Sequence, residues 1–186
     1  MTPDPIARAL TEREYTEPTP VQRAVMAENA EGRDLVVSAQ TGSGKTVAYG
    51  LAIAKTLLGD ALRFEYPAMP VALIVAPTRE LAMQVEREFE WLYHYTSARI
   101  LSCVGGMDPK RERRRLADGA HIIVGTPGRL RDHLERHGDR AQWIVEHWPH
   151  VVEHHEIAEA LAAAASAARL PGTSAEYWAV QDPIDL

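Results

Sequence analysis

The chain has 186 residues, a net charge of −6 and a single cysteine, Cys103; 46% of its side chains are hydrophobic and 25% charged. That length fits one core, and one thiol excludes both a disulfide framework and a cysteine-based zinc cluster, which favours a reducing, cytoplasmic setting. The first residues lack a basic-then-apolar signal pattern, and no apolar run approaches the ~20 residues needed to span a bilayer.

Charge is unevenly placed. Residues 139–186 hold two basic residues (Arg140, Arg169) and eight acidic ones, a net of −6, so the front part carries 18 of each sign and sums to zero. Three of the four tryptophans (Trp143, Trp148, Trp178) also lie in this tail. The chain therefore divides at Gly138, and so abrupt a change suggests a frameshift, deletion or fusion there.

In chain order, Pro18-Thr19-Pro20-Val21-Gln22 comes first. Thr19 and Gln22 have the spacing of a capping box, in which the glutamine amide folds back on the Thr19 N–H. Next, the apolar run at residues 35–38 predicts a strand, and residues 46–58 predict a helix. Between them stand Ala39-Gln40-Thr41-Gly42-Ser43-Gly44-Lys45-Thr46. Strand, glycine-rich turn and helix in that order form a phosphate-binding P-loop, with Ala39 in place of the usual first glycine. Gly42 and Gly44 allow backbone N–H groups to converge on phosphate oxygens. Lys45 brings charge to the β- and γ-phosphates, Thr46 offers a hydroxyl to Mg²⁺, and the helix N-terminus points at the same anion.

Further strands are predicted over residues 71–76, 100–104 and 122–124, short and rich in β-branched residues as in a parallel sheet buried on both faces. A helix is predicted over residues 79–95, with Leu81, Val85, Phe89 and Leu92 on one face. Thr78, Asp108-Pro109 and Thr126-Pro127 read as helix N-caps directly after strands. Strands alternating with helices give an α/β fold with a doubly wound, mostly parallel sheet, whose helix starts cluster at the carboxyl ends of the strands. The run from Lys110 to Arg115 reads as a solvated helix face in preference to a nucleic-acid patch. His133 and His137, and His147, His150, His154 and His155, lack a metal-type pattern of partners. The tail reads as two helices, residues 142–148 and 151–170, then a loop.

Together, AQTGSGKT with PTPVQ, Pro77-Thr78-Arg79-Glu80-Leu81-Ala82, Gly105-Gly106 and Thr126-Pro127-Gly128-Arg129 resembles the first RecA-like domain of DEAD-box RNA helicases, from about Tyr15 to Leu134. The resemblance implies ATP and Mg²⁺ as cofactors, bound by Gln22 and residues 39–46, with Lys45 and Thr46 serving catalysis. Gln22 matches the glutamine that reads adenine, and upstream of a P-loop this reading is preferred to the cap. The resemblance also assigns RNA-backbone contacts to Thr78, Arg79, Gly105, Gly106, Thr126, Gly128 and Arg129. Such contacts carry no base information, so binding should tolerate any sequence.

Two departures concern the adenine side. Glu14 stands where the family usually has glycine before the aromatic Tyr15, and the aromatic expected upstream has no counterpart. Other departures concern turnover. After Leu130 no apolar run ends in Asp-Glu, and neither the Ser-Ala-Thr segment nor a second RecA-like domain with its arginine finger is found. An arginine finger is worth ~10³–10⁵ in rate and a positioned base ~10²–10⁴. The expectation is an incomplete RecA-like domain at residues 1–138, with an acidic, helical tail at 139–186. It should bind ATP–Mg and RNA with little or no hydrolysis or unwinding. The same residues leave two alternatives: an ATPase using Glu146 or Asp182, and an adaptor competing with intact helicases. In the second, the tail would meet other helicases or RNA-processing proteins.

Overall fold

The computed structural model describes residues 2, 4–27, 30, 35, 37, 39–40, 42–66 and 70–136. The predicted tail, His137 and the tail histidines lie outside the described residues, as does Thr41 of the P-loop.

Short β-branched runs become three parallel strands, β1 (Ala72–Val75), β2 (Ile100–Cys103) and β3 (Ile122–Gly125), in the order β1-β3-β2. Val75 and Cys103 both lie in register with Gly125, so all three chains leave the sheet at one edge. β3 is central and wholly buried. Edge strand β2 is capped from the side: the Glu86 carboxylate accepts from the Ser102 amide at 3.0 Å and from its hydroxyl at 2.6 Å. That blunts an otherwise open ladder.

Six α-helices surround these strands among the described residues: α1 (Asp4–Glu12), α2 (Pro20–Val25), α3 (Lys45–Leu58), α4 (Arg79–Leu92), α5 (Pro109–Ala117) and α6 (Pro127–Arg136). The larger core joins α3, α4 and the sheet through Val47, Tyr49, Ile53, Ile74, Val85, Phe89, Leu92, Ile122 and Val124. Burying each such side chain contributes roughly 1.5–3 kcal/mol before entropy is counted. Phe89 stacks on Tyr93 with ring centroids 5.4 Å apart, and the Tyr93 hydroxyl donates to the Gly50 carbonyl at 2.8 Å.

The predicted helix over residues 79–95 ends earlier, at Leu92, and a 3-10 turn at His94–Thr96 follows. The Thr96 hydroxyl donates to the Tyr93 carbonyl at 2.7 Å, and this local bond competes with further α-helical bonding. The strand expected at residues 35–38 lies partly outside the described residues: Leu35 and Val37 belong to no strand, and Val36 and Ser38 are not described.

Two local features were not anticipated. Glu14 has φ 57°, the left-handed region in which glycine is the cheapest residue, and Tyr15 then stacks on Trp91 with centroids 5.6 Å apart. The buried His121 ring bridges two loops: its Nδ1 accepts from the Arg99 amide and its Nε2 donates to the Glu65 carbonyl, both at 2.8 Å. The amide partner fixes the proton on Nε2. Burial, with the nearby Arg99 charge, holds this imidazole below the usual histidine pKa.

Candidate nucleotide and nucleic-acid site

The P-loop turns on two glycines with positive φ, Gly42 at 81° and Gly44 at 84°. A Cβ on Gly44 would stand 2.7 Å from Gln22 Nε2, so this position is closed to side chains by both conformation and space. Gly44 N-caps α3 with no side-chain bond of its own, so the first amides of the helix are left to a ligand or solvent. Lys45 is 6% exposed, and its Nζ donates to the carbonyls of Ala39 at 2.8 Å and Gln40 at 3.0 Å. Both partners are neutral, so among the described residues the ammonium has no counter-charge. Close by in sequence, Ser43 Oγ is buried without a hydrogen-bond partner among the described residues. Thr46, 8% exposed, follows on the first turn.

This donor set fits a nucleotide polyphosphate. An unspent hydroxyl, a lysine held only by carbonyls and a glycine turn at a helix N-terminus all complement oxyanions. Thr46 could supply one oxygen to Mg²⁺, which binds few protein ligands besides phosphate and water.

Gln22 forms the capping box. Its Oε1 accepts from the Thr19 amide at 3.0 Å, its own amide donates to Thr19 Oγ1 at 3.4 Å, and Nε2 donates to the Gly44 carbonyl at 3.4 Å. The preference for adenine reading over the cap is therefore refined: the cap is present, and the same amide braces the P-loop. One N–H and one lone pair of the amide remain unspent by these bonds.

At the carboxyl edge of the sheet the remaining candidate residues come together. Thr78 caps α4, accepting from the Leu81 amide at 3.2 Å, and both Thr78 and Arg79 are exposed. The Arg79 guanidinium lies over Gly106, where a Cβ would meet Nη1 at 2.5 Å; φ of 80° also favours glycine there. Gly105 and Gly128 face open space, with nothing within 4 Å of a Cβ placed on either. The Thr126 amide donates to the Cys103 carbonyl at 3.1 Å, which ties the start of α6 to the end of β2.

Arg129 behaves differently from its neighbours. Its Nε donates to Glu112 Oε2 at 2.7 Å and its Nη2 to the Met107 carbonyl at 3.2 Å, and its side chain is only 12% exposed. Its guanidinium is committed inside the protein, which leaves Thr126 and Gly128 as the accessible members of that segment. Glu112 is the residue that sequence reading missed. It lies within the 110–115 run, expected to be solvated throughout, yet is 4% exposed. Its Oε1 accepts from the Val104 amide at 3.0 Å, and its Oε2 meets Arg129 and His133 Nε2, the latter at 2.9 Å. Burial opposes its ionisation, but the bonds to His133 and Arg129 outweigh it and hold the carboxyl below the usual range. The clue was available in spacing: Arg129 and His133 are i, i+4 on one helix face and need a buried acceptor.

Cys103, Glu112 and His133 place ligand atoms within 4.8 Å of one another. Glu112 already carries the Arg129 cation, which opposes a second positive charge. Burial, then the Glu112 charge, pushes the Cys103 thiol well above its usual pKa, away from thiolate. The cluster is an ion network.

A glycine turn leading into a helix, a parallel sheet and helix starts after its strands make the architecture of a RecA-like helicase domain. The DEAD/DEAH box helicase family model matches residues 19–164, and the chain belongs to that family. The match runs past Gly138 into the acidic segment. The ATP-dependent rRNA helicase RRP3 of Meyerozyma guilliermondii is 42% identical over 130 residues, 70% of this chain and 26% of the relative. Its counterpart in Neosartorya fischeri is 43% identical over 132 residues, 71% and 27% of the two chains. The chain thus spans about a quarter of the length of these curated relatives. Among solved structures, the ADP-bound RNA helicase Prp28 of Chaetomium thermophilum is similar with a TM-score of 0.63 and 39% identity, covering 73% of this chain and 33% of that one. The yeast DEAD-box splicing factor Prp28 gives 0.64 and 32%, with the same coverage. The RecA-like, incomplete α/β fold expected from the sequence is what the structure and these neighbours show. Among the described residues no helix is long and apolar enough to cross a membrane.

Proposed function

We propose that this chain binds an adenine nucleotide with Mg²⁺ at the P-loop and an RNA backbone along the carboxyl edge of the sheet, with little or no hydrolysis or strand separation by itself. The observation that carries the reading is the shared edge: Arg79, Gly106, Thr126 and Gly128 all stand where β1, β2 and β3 end. Lys45 and residues 39–46 hold the phosphates, Thr46 a magnesium oxygen ligand, and Gln22 the adenine edge through its remaining donor and acceptor. Thr78, Arg79, Gly105, Gly106, Thr126 and Gly128 hold the sugar–phosphate chain; Arg129 positions this segment from beneath.

When bound, Mg²⁺ would neutralise charge on the phosphates. The residues that hold and polarise an attacking water are what the chain lacks: no Asp-Glu pair occurs anywhere in the 186 residues. Without a positioned base, ~10²–10⁴ in rate is lost. The test is fluorescence titration with a labelled adenine nucleotide and Mg²⁺, beside a phosphate-release assay with an oligoribonucleotide. Saturable binding that Lys45→Ala removes, with release equal in both proteins, supports the reading. Release that depends on Lys45 overturns the inactive assignment and favours an ATPase using an acid elsewhere in the chain.

A further inference from the structure

Helix α5 starts directly behind the Gly105-Gly106 turn, and its two faces carry opposite roles. Glu112 and Leu116 are four residues apart and face inward; Leu116 packs against the smaller core cluster with Leu101, Ile123 and Leu130. At 100° per residue, Lys110, Arg113 and Arg114 then share the outward face, with Arg111 beside them. All four are exposed, and none pairs with a carboxylate among the described residues. Arg115, by contrast, lies 3.8 Å from Glu86. The one acid inside this run has been withdrawn into the Arg129–His133 network, so it neutralises nothing outside. The exposed acids at the ends of the helix are Asp108, whose carboxylate accepts from the Lys110 amide at 2.9 Å, and Asp118. Unbalanced like charges on one helix face repel one another, and a polyanion relieves that repulsion.

We propose that the outward face of α5, through Lys110, Arg111, Arg113 and Arg114, binds the phosphate backbone of the same RNA strand and extends its track beyond Gly106. This rests on the RNA reading above. The argument is continuity and charge: Arg79 sits over Gly106, and Lys110 follows four residues later on the same exposed surface. The four cations also resolve how a chain of net charge −6 can hold a polyanion. Its net negative charge falls in residues 139–186, where eight acids face two basic residues, while this face is locally basic.

The experiment is the salt dependence of single-stranded RNA affinity for the full chain and for the variant K110A/R113A/R114A. Each lost phosphate contact lowers the slope of log K against log salt by about 0.7 for single strands, so the slope should fall by about 2. Labelled-nucleotide affinity and the thermal midpoint of the variant should match the parent, because the three side chains are exposed. An unchanged slope with RNA still bound overturns this proposal and leaves the RNA reading intact. No RNA binding by the parent at low salt overturns both. A peptide of residues 139–186 that binds the parent but not the variant, with RNA binding unaltered, would assign the face to that acidic segment and overturn the RNA assignment.

Discussion

Two cations, the buried Lys45 and the partly buried Arg129, are held in opposite ways. The Lys45 ammonium rests on two neutral carbonyls, whereas the Arg129 guanidinium has a full counter-charge in Glu112. A phosphate can displace carbonyls from an ammonium with a net gain in charge pairing. Displacing a buried carboxylate from a guanidinium would leave that carboxylate stranded, at a cost of several kcal/mol. Similar residues, then, divide into one that waits for a ligand and one that builds the surface on which a ligand lies.

The contrast can be broken most severely at Glu112. Replacing it with alanine strips the counter-charge from Arg129, the partner from His133 Nε2 and the acceptor from the Val104 amide, and should cost about 3–5 kcal/mol in urea unfolding. Glu112→Gln keeps a neutral acceptor and should lose about 1–3 kcal/mol. Equal, small losses would mean that the network does not hold the corner. Lys45→Ala should cost less than about 2 kcal/mol, since relief of ammonium desolvation offsets two lost bonds, while abolishing nucleotide binding. A lysine variant as unstable as the glutamate variant would erase the distinction.

Acid should act on the locked side. The folded carboxyl of Glu112 is held below its usual range, so its contribution is complete above about pH 4.5 and fades as pH falls further. His121 is also held below its usual value of 6.5, so the folded chain binds fewer protons there than the unfolded chain. Its contribution is complete above that value and is lost as pH falls through the interval down to the folded pKa. Stability should therefore decline on acidification in two stages. His121→Gln, which retains an acceptor and a donor, should remove the stage near neutrality. If the unfolding midpoint is flat from about pH 7 to about pH 2, these assignments fail. A smaller effect is expected at Glu14, where φ of 57° makes glycine the easier residue: Glu14→Gly should raise stability by up to about 1 kcal/mol.

Much of this architecture was legible in the chain. Ile122-Ile123-Val124 reads as a buried strand because β-branched residues without alternation suit a sheet covered on both faces, and Thr78 and Asp108 read as caps because their oxygens precede free amides. The P-loop was legible because positive φ demands glycine at fixed positions. What escaped were pairings across the sequence. Glu112 looked like one more charge in a basic run, since only the packing of α5 against α6 turns it inward. His121 gave no local signal at all, because its partners at Glu65 and Arg99 are set by loop geometry. Leu35 and Val37 have strand composition yet lie in no strand, so amide exchange at Val37 should be much faster than at Ile123.

The most direct measurement is isothermal titration of the full chain with a magnesium-loaded, non-hydrolysable adenine nucleotide, repeated with Lys45→Ala. One-site heat in the parent and none in the variant is the predicted result. Heat that survives loss of the ammonium, or no heat from either protein, would contradict the idea that Lys45 is the cation waiting for phosphate.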